Sequence, residues 1–148
     1  MKTILFLCSG NYYRSRFAES LFNSLAAQMN LGWVADSRGL IVEGNSTNPG
    51  PMSNHALEAL TARGIEAPQP VRFPLQLQEA DLERAGLIVA VKETEHRPMI
   101  ARQFPAWDNK ITYWHIHDLD KSTADEALPE LERLVRRLVQ QLSTGTVD

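Results

Sequence analysis

Short apolar runs that alternate with stretches of helical periodicity predict an α/β domain built on a parallel sheet. Two further observations support that class. The runs are continuously apolar rather than alternating, as expected for strands buried on both faces. No internal repeat, low-complexity tract or linker interrupts the 148 residues. A single domain over residues 1–148 is expected, long enough to bury a core.

The elements follow in order. Residues 3–7 are an unbroken apolar run and predict the first strand. Over residues 15–30, Ala18, Leu21, Phe22, Leu25, Ala26 and Met29 recur at helical spacing. Trp33 to Ser37 fits a second strand, and the Gly-, Pro- and Asn-rich stretch from Gly44 to Pro51 reads as loop. A helix from Ser53 to about Arg63 has a serine at its N-cap and Gly64 just past its end. Gly86 to Val91 is the third buried strand, and Ile111 to Ile116 the fourth. Leu128, Leu131, Leu134, Val135, Leu138, Val139 and Leu142 form an amphipathic stripe, with Pro129 near its start marking a kink or a first turn.

Composition narrows the function classes. Hydrophobic residues make up 43% and charged residues 22% of the chain, a globular profile. A net charge of −3 without a basic run gives no reason to expect nucleic acid. The apolar stretch near Met1 is too short for a secretory signal, and no stretch approaches the roughly 20 residues that span a bilayer. A cytoplasmic protein without a membrane partner is expected. The single cysteine excludes an intramolecular disulfide.

That cysteine stands at the exit of the first strand. Cys8-Ser9-Gly10-Asn11-Tyr12-Tyr13-Arg14-Ser15 runs directly into a helix. Five residues between Cys8 and Arg14 can wrap one turn, so that the backbone N–H groups of Ser9 through Ser15 point inward and form a phosphate nest at the positive end of a helix. Gly10 and Asn11 are the residue types that most readily take the positive φ of such a wrap. A thiol pKa of about 8.5 falls to roughly 3.5–7.5 beside helix N-termini and cations, and a drop of about 3 units is worth about 4 kcal/mol. Cys8 is therefore expected to be an ionised nucleophile, steadied by the hydroxyl of Ser15. The planar fork of Arg14 matches two phosphate oxygens.

On these residues the chain resembles the low-molecular-weight protein tyrosine phosphatases. Asp36-Ser37-Arg38-Gly39 resembles the family's segment after the second strand, Gly86 to Val91 resembles its third strand, and Asp118 stands at the aspartate of its Asp-Pro loop. The resemblance implies a three-layer αβα fold with a twisted four-stranded parallel sheet in the order 2-1-3-4. It implies hydrolysis of phosphotyrosine, in a protein or a small aryl phosphate, through a phosphocysteine on Cys8, without metal or cofactor. It gives Arg14 the phosphate, Ser15 the thiolate, Asn11 the loop's strained shape, and Asp118 general acid then general base. Departures are also visible. Tyr13 replaces a second cysteine, Arg16 a proline, and Leu119 the proline after the acid, while Asp120 is a second carboxylate nearby. The family's wall tryptophan is missing between residues 40 and 51, which makes Tyr12 the candidate substrate wall.

Three alternatives compete. His115 and His117 form a His-x-His that could hold a divalent metal from one strand face. One cysteine cannot run the disulfide relay of a thioredoxin-coupled arsenate reductase, which leaves only a version with an external small thiol. A phosphate-binding module without turnover would keep the nest alone. Glu95-His96-Arg97-Pro98 is read as a solvated helix end, with the rim of a pocket as its alternative, and Arg133, Arg136 and Arg137 as solubilising. Oligomeric state is not determined by the sequence.

Overall fold

The computed structural model describes residues 1–43, 48–117 and 124–145. One parallel sheet has the order β2-β1-β3-β4, as expected, from β1 (Lys2–Cys8), β2 (Trp33–Gly39), β3 (Leu87–Ala90) and β4 (Thr112–Tyr113). The helices are α1 (Arg14–Gln28), α2 (Asn54–Ala62), α3 (Glu79–Arg84), α4 (Glu93–Gln103) and α5 (Ala124–Thr144).

β1 explains why there are helices on both faces. Its residues alternate between two cores: Ile4, Phe6 and Cys8 face one, Leu5 and Leu7 the other. The first core is closed by Phe17, Leu21 and Phe22 of α1 and by Leu128, Leu131, Val135 and Val139 of α5. The second is closed by Leu82 of α3 and Ile100 of α4, with Leu40 and Leu77. Burying each such side chain contributes about 1.5–3 kcal/mol. The outer edge of β2 is met by Asn23, whose Oδ1 accepts from Ala35 N at 2.7 Å and whose Nδ2 donates to Ala35 O at 3.1 Å, and by a parallel bridge of Gly39 with Gln76.

Local expectations held unevenly. Gly64 takes the left-handed backbone past α2 (φ 73°) as expected of a C′ residue. Ser53 is the N-cap residue, but its side chain makes no capping bond, and its backbone N–H goes to Tyr12 O instead. β4 is a two-residue ladder rather than the predicted 111–116. The chain still bonds β3's extension through Trp114 N to Ala90 O and Ile116 N to Val91 O, but an antiparallel bridge of His115 with Lys92 breaks the parallel register. α5 begins ahead of the predicted stripe, so Pro129 falls inside it, and Arg133, Arg136 and Arg137 are exposed. The sequence carries no sign of α3, which has six residues, and of α4 only a helix end at Glu95–Pro98, because α4 carries Pro98 and no continuous apolar stripe. Among the described residues no helix is long and apolar enough to cross a membrane.

Parallel strands bring their carboxyl ends together. Cys8, Gly39, the Lys92–Glu93 turn after β3 and Ile116 beyond β4 therefore meet on one edge of the sheet.

Candidate active site

β1 delivers Cys8 as its last residue and α1 starts at Arg14, so Ser9 to Tyr13 make the whole turn. Five carbonyls from Cys8 to Tyr13 have partners outside the loop. Cys8 O accepts from Leu40 N at 3.0 Å, Ser9 O from Ile41 N at 2.8 Å, and Tyr12 O from Ser53 N at 2.9 Å. Asn11 O accepts from Arg16 Nη1 at 3.2 Å, and Tyr13 O from Phe17 N at 3.0 Å. These donors sit on the segment after β2, on the approach to α2 and on α1, all of which wrap the loop from outside. In a trans peptide the N–H points opposite to the C=O. The N–H groups of Ser9, Gly10, Tyr12, Tyr13 and Arg14 consequently turn toward the inside of the loop. The result is an amide bowl with Cys8 at one end and the start of α1 at the other.

Asn11 keeps the bowl's shape. Of the two residues expected to allow a left-handed step, Asn11 takes it (φ 51°), and it is fully buried. Its Nδ2 donates to Ser15 Oγ and Ser37 Oγ, both at 2.9 Å, and its Oδ1 accepts from Arg72 Nη1 at 2.9 Å and Leu75 N at 3.1 Å. All four hydrogen-bonding positions of the side chain are used. Ser15 Oγ lies 2.9 Å from Cys8 Sγ. Gly39 completes the seat, because a Cβ there would lie 2.7 Å from Val42 Cγ2 and 2.8 Å from Ser9 O. Only glycine lets the end of β2 press this close to the loop.

Arg14 is 1% exposed and reaches across the strand ends. Its Nη1 donates to Ile116 O at 2.9 Å and to Glu95 Oε1 at 3.3 Å, and its Nη2 donates to Glu95 Oε2 at 2.9 Å. Glu95 also accepts from the Ser9 hydroxyl and lies 3.2 Å from His96 Nε2. His96 Nδ1 accepts from Lys92 N at 3.1 Å, which assigns the ring proton to Nε2 and makes His96 a donor toward Ser9 and Glu95. Burial alone would raise the Glu95 carboxyl. The hydrogen bonds from His96 and Arg14, the Arg14 charge and the Ser9 bond outweigh it and hold Glu95 well below the usual carboxylate range.

The opposite flank is built around Arg72 and Arg16. Arg72 Nη2 pairs with Glu19 Oε1 at 3.1 Å and reaches Ser37 Oγ at 3.0 Å, while Ser37 Oγ donates to Glu19 at 2.6 Å. Burial pushes Glu19 up despite these partners. Arg16 is 5% exposed, and burial, reinforced by the Arg72 charge, lowers it to about 10.

The structure thus brings together Cys8, Ser9, Gly10, Asn11, Tyr12, Tyr13, Arg14 and Ser15 in one bowl. The Tyr13 ring turns into the core, whereas Tyr12 is half-buried with its hydroxyl donating to Pro49 O at 2.5 Å. Asp118, Leu119 and Asp120 lie outside the described residues. His115 and His117 are exposed on either side of buried Ile116, and among the described residues no cluster of three metal-ligating side chains forms.

One sequence reading needs correction. Glu95 and His96 are not a solvated helix end: His96 is fully buried and Glu95 holds Arg14. Ser37 and Arg72 were likewise not predicted as site residues. Strand order supplies the missing signal for Glu95, since β3 is β1's neighbour and the residues just after β3 must lie beside Cys8.

Comparison with known proteins agrees with this geometry. The sequence model of the low molecular weight phosphotyrosine protein phosphatases matches residues 3–146. The chain is 35% identical to the protein-arginine-phosphatase of Bacillus subtilis (strain 168), over 94% of this chain and 95% of that protein. The low molecular weight protein tyrosine phosphatase of T. tengcongensis superposes with a TM-score of 0.80 at 25% identity, covering 95% of this chain and 99% of that one. A mutant YwlE arginine phosphatase with a phosphorylated active-site serine superposes with a TM-score of 0.78 at 28% identity, covering 95% of each chain. Matched by that family's model from residue 3 to residue 146, the chain belongs to the low molecular weight phosphotyrosine protein phosphatase family.

Proposed function

We propose that this chain hydrolyses phosphate monoesters, phosphotyrosine foremost, through a phosphocysteine on Cys8. The observation that carries this reading is the set of outward-bonded loop carbonyls, which turns the amides of Ser9, Gly10, Tyr12, Tyr13 and Arg14 toward the inside of the loop that Cys8 opens. A phosphoryl group there meets inward N–H donors and Arg14. A guanidinium offers two bidentate edges. Glu95 holds Arg14 through Nη1 and Nη2, which fixes the plane of the guanidinium beside the loop.

Cys8 attacks phosphorus, the P–O bond to the phenol breaks, and Asp118 protonates the departing oxygen. A phenol has a pKa near 10, so that proton lowers the barrier to departure. Asp118 then takes a proton from water, which attacks the phosphocysteine, and inorganic phosphate leaves with the sulfur restored. Ser15 Oγ accepts from Asn11, which directs its own hydrogen to Cys8. Tyr12 walls the leaving-group side. We place the reaction in the cytoplasm, where a lone thiol nucleophile stays reduced.

A second reading, phosphoarginine hydrolysis, is favoured by the 35% identity to a protein-arginine-phosphatase across 94% of the chain. Both substrates form the same phosphocysteine, so the bowl does not choose between oxygen and nitrogen leaving groups. The comparison of kcat/KM on matched phosphotyrosine and phosphoarginine peptides makes that choice. The primary test is hydrolysis of a chromogenic aryl phosphate in EDTA, with inhibition by vanadate. Cys8→Ser abolishes turnover, and Asp118→Ala loses far more rate than Asp120→Ala. An active Cys8→Ser protein overturns the reading, and equal losses at the two aspartates overturn the acid assignment.

A further inference from the structure

We propose that Arg16 is a positioning residue, whose guanidinium clamps three loops by their carbonyls so that the peptide between Asn11 and Tyr12 presents its N–H to bound phosphate. The inference rests on the reaction proposed above, because it concerns the phosphate which that loop binds.

Arg16 lies in the first turn of α1, where its neighbours Arg14 and Ser15 belong to the bowl. Its Nη1 donates to Asn11 O at 3.2 Å and to Pro51 O at 3.1 Å, and its Nη2 donates to Arg72 O at 2.8 Å. One side chain therefore joins the phosphate loop, the approach to α2 and the segment that supplies Arg72. No carboxylate among the described residues forms an ion pair with it. Its hydrogen bonds all go to carbonyls, with Glu19 and Asp36 as counter-charges beyond ion-pair distance, so the fork is spent on holding three loop carbonyls rather than on a salt bridge.

That task follows from peptide geometry. Asn11 O is drawn toward α1, so the N–H of the same planar peptide, that of Tyr12, must face the bowl. Were the peptide to rotate, Tyr12 would present no donor and Asn11 would place an acceptor against an anion. The other outward carbonyls of Cys8, Ser9, Tyr12 and Tyr13 are fixed by backbone amides and need no side chain. The 11–12 peptide is the one whose carbonyl is fixed by a side chain, and it directly follows the left-handed Asn11. Lysine cannot replace this fork, since a single ammonium cannot span three carbonyls on separate segments in fixed directions.

The test is an inorganic phosphate titration of the ¹⁵N-labelled wild type, Arg16→Lys and Arg16→Gln, alongside aryl phosphate kinetics. In the wild type the Tyr12 amide resonance moves with phosphate, together with those of Ser9 and Gly10. In both variants the Tyr12 response is lost while Ser9 and Gly10 still respond. The Ki for phosphate and the KM rise together by about tenfold, with a smaller change in kcat. A wild-type Ki in Arg16→Lys, or uniform loss of all loop responses, overturns the proposal. A silent Tyr12 amide in phosphate-saturated wild type overturns it without any variant. Phosphate binding without aryl phosphate turnover by the wild type would instead sink the proposed reaction.

Discussion

Two partly buried carboxylates flank the loop between β1 and α1, and their environments push them in opposite directions. Glu95, on the Arg14 flank, has a side chain 25% exposed and is held well below the usual range; Glu19, on the Asn11 flank, is 17% exposed and is raised. The difference lies in the burial and in the partners. Glu95 meets the 2%-exposed Arg14 through two nitrogens, with His96 and Ser9 as further donors. Glu19 faces Arg72, which is 31% exposed and divides its donors among Asn11, Ser37 and Phe73 as well. Glu19 is the more deeply buried and has the like charge of Asp36 nearby, whereas Glu95 collects hydrogen bonds from His96, Arg14 and Ser9 that outweigh its burial. Proximity to a basic residue does not by itself make a carboxylate a strong counter-charge.

The hub between the flanks should show the largest effect. Asn11→Ala puts a Cβ-bearing residue without a local hydrogen bond at φ 51° and removes four side-chain bonds. The left-handed backbone and the orphaned donors together cost about 2–4 kcal/mol of stability. Misplacement of the loop lowers kcat/KM by at least about 100-fold. Chemical denaturation and aryl phosphate kinetics measure both. A smaller loss of activity than Glu95→Gln causes would invert the assigned ranking.

Glu95→Gln keeps the shape and deletes the charge. We expect kcat/KM to fall by about tenfold as Arg14 loses its charge-assisted partner. The pH dependence has a defined sign. Because the folded value is lowered, the stabilisation is present above the unfolded carboxyl value of about 4.3 and fades as pH falls below it. The difference in denaturant midpoint between wild type and Glu95→Gln should therefore close toward acid pH.

Glu19→Gln sharpens the contrast with the smallest effect. A raised folded value means that the folded protein holds this proton more tightly than the unfolded chain. The associated stability is complete below about 4.3 and is lost as pH rises through the folded value. Relative to Glu19→Gln, wild type should lose ground as pH climbs toward neutrality. Parallel slopes for the two variants would refute the comparison.

The sequence by itself determined the strand, the five-residue wrap and the helix that place Cys8 and Arg14 in one loop. Those elements are contiguous, and an apolar run, a spacing and a helical period are all local signals. The parallel sheet and its helical layers were legible for the same reason, since α1 and α5 carry continuous apolar stripes. α3, most of α4 and the brevity of β4 were not, because a six-residue helix, a proline-bearing helix and a broken ladder leave no period to read. Only tertiary structure decided what surrounds the loop. Glu95 and Ile116 reach Arg14 across 81 and 102 residues, and Arg72 reaches Asn11 across 61. Those meetings depend on which strand lies beside which and in what register, and a side chain of mixed use such as Glu95 looks the same in the sequence whether it faces water or a buried guanidinium.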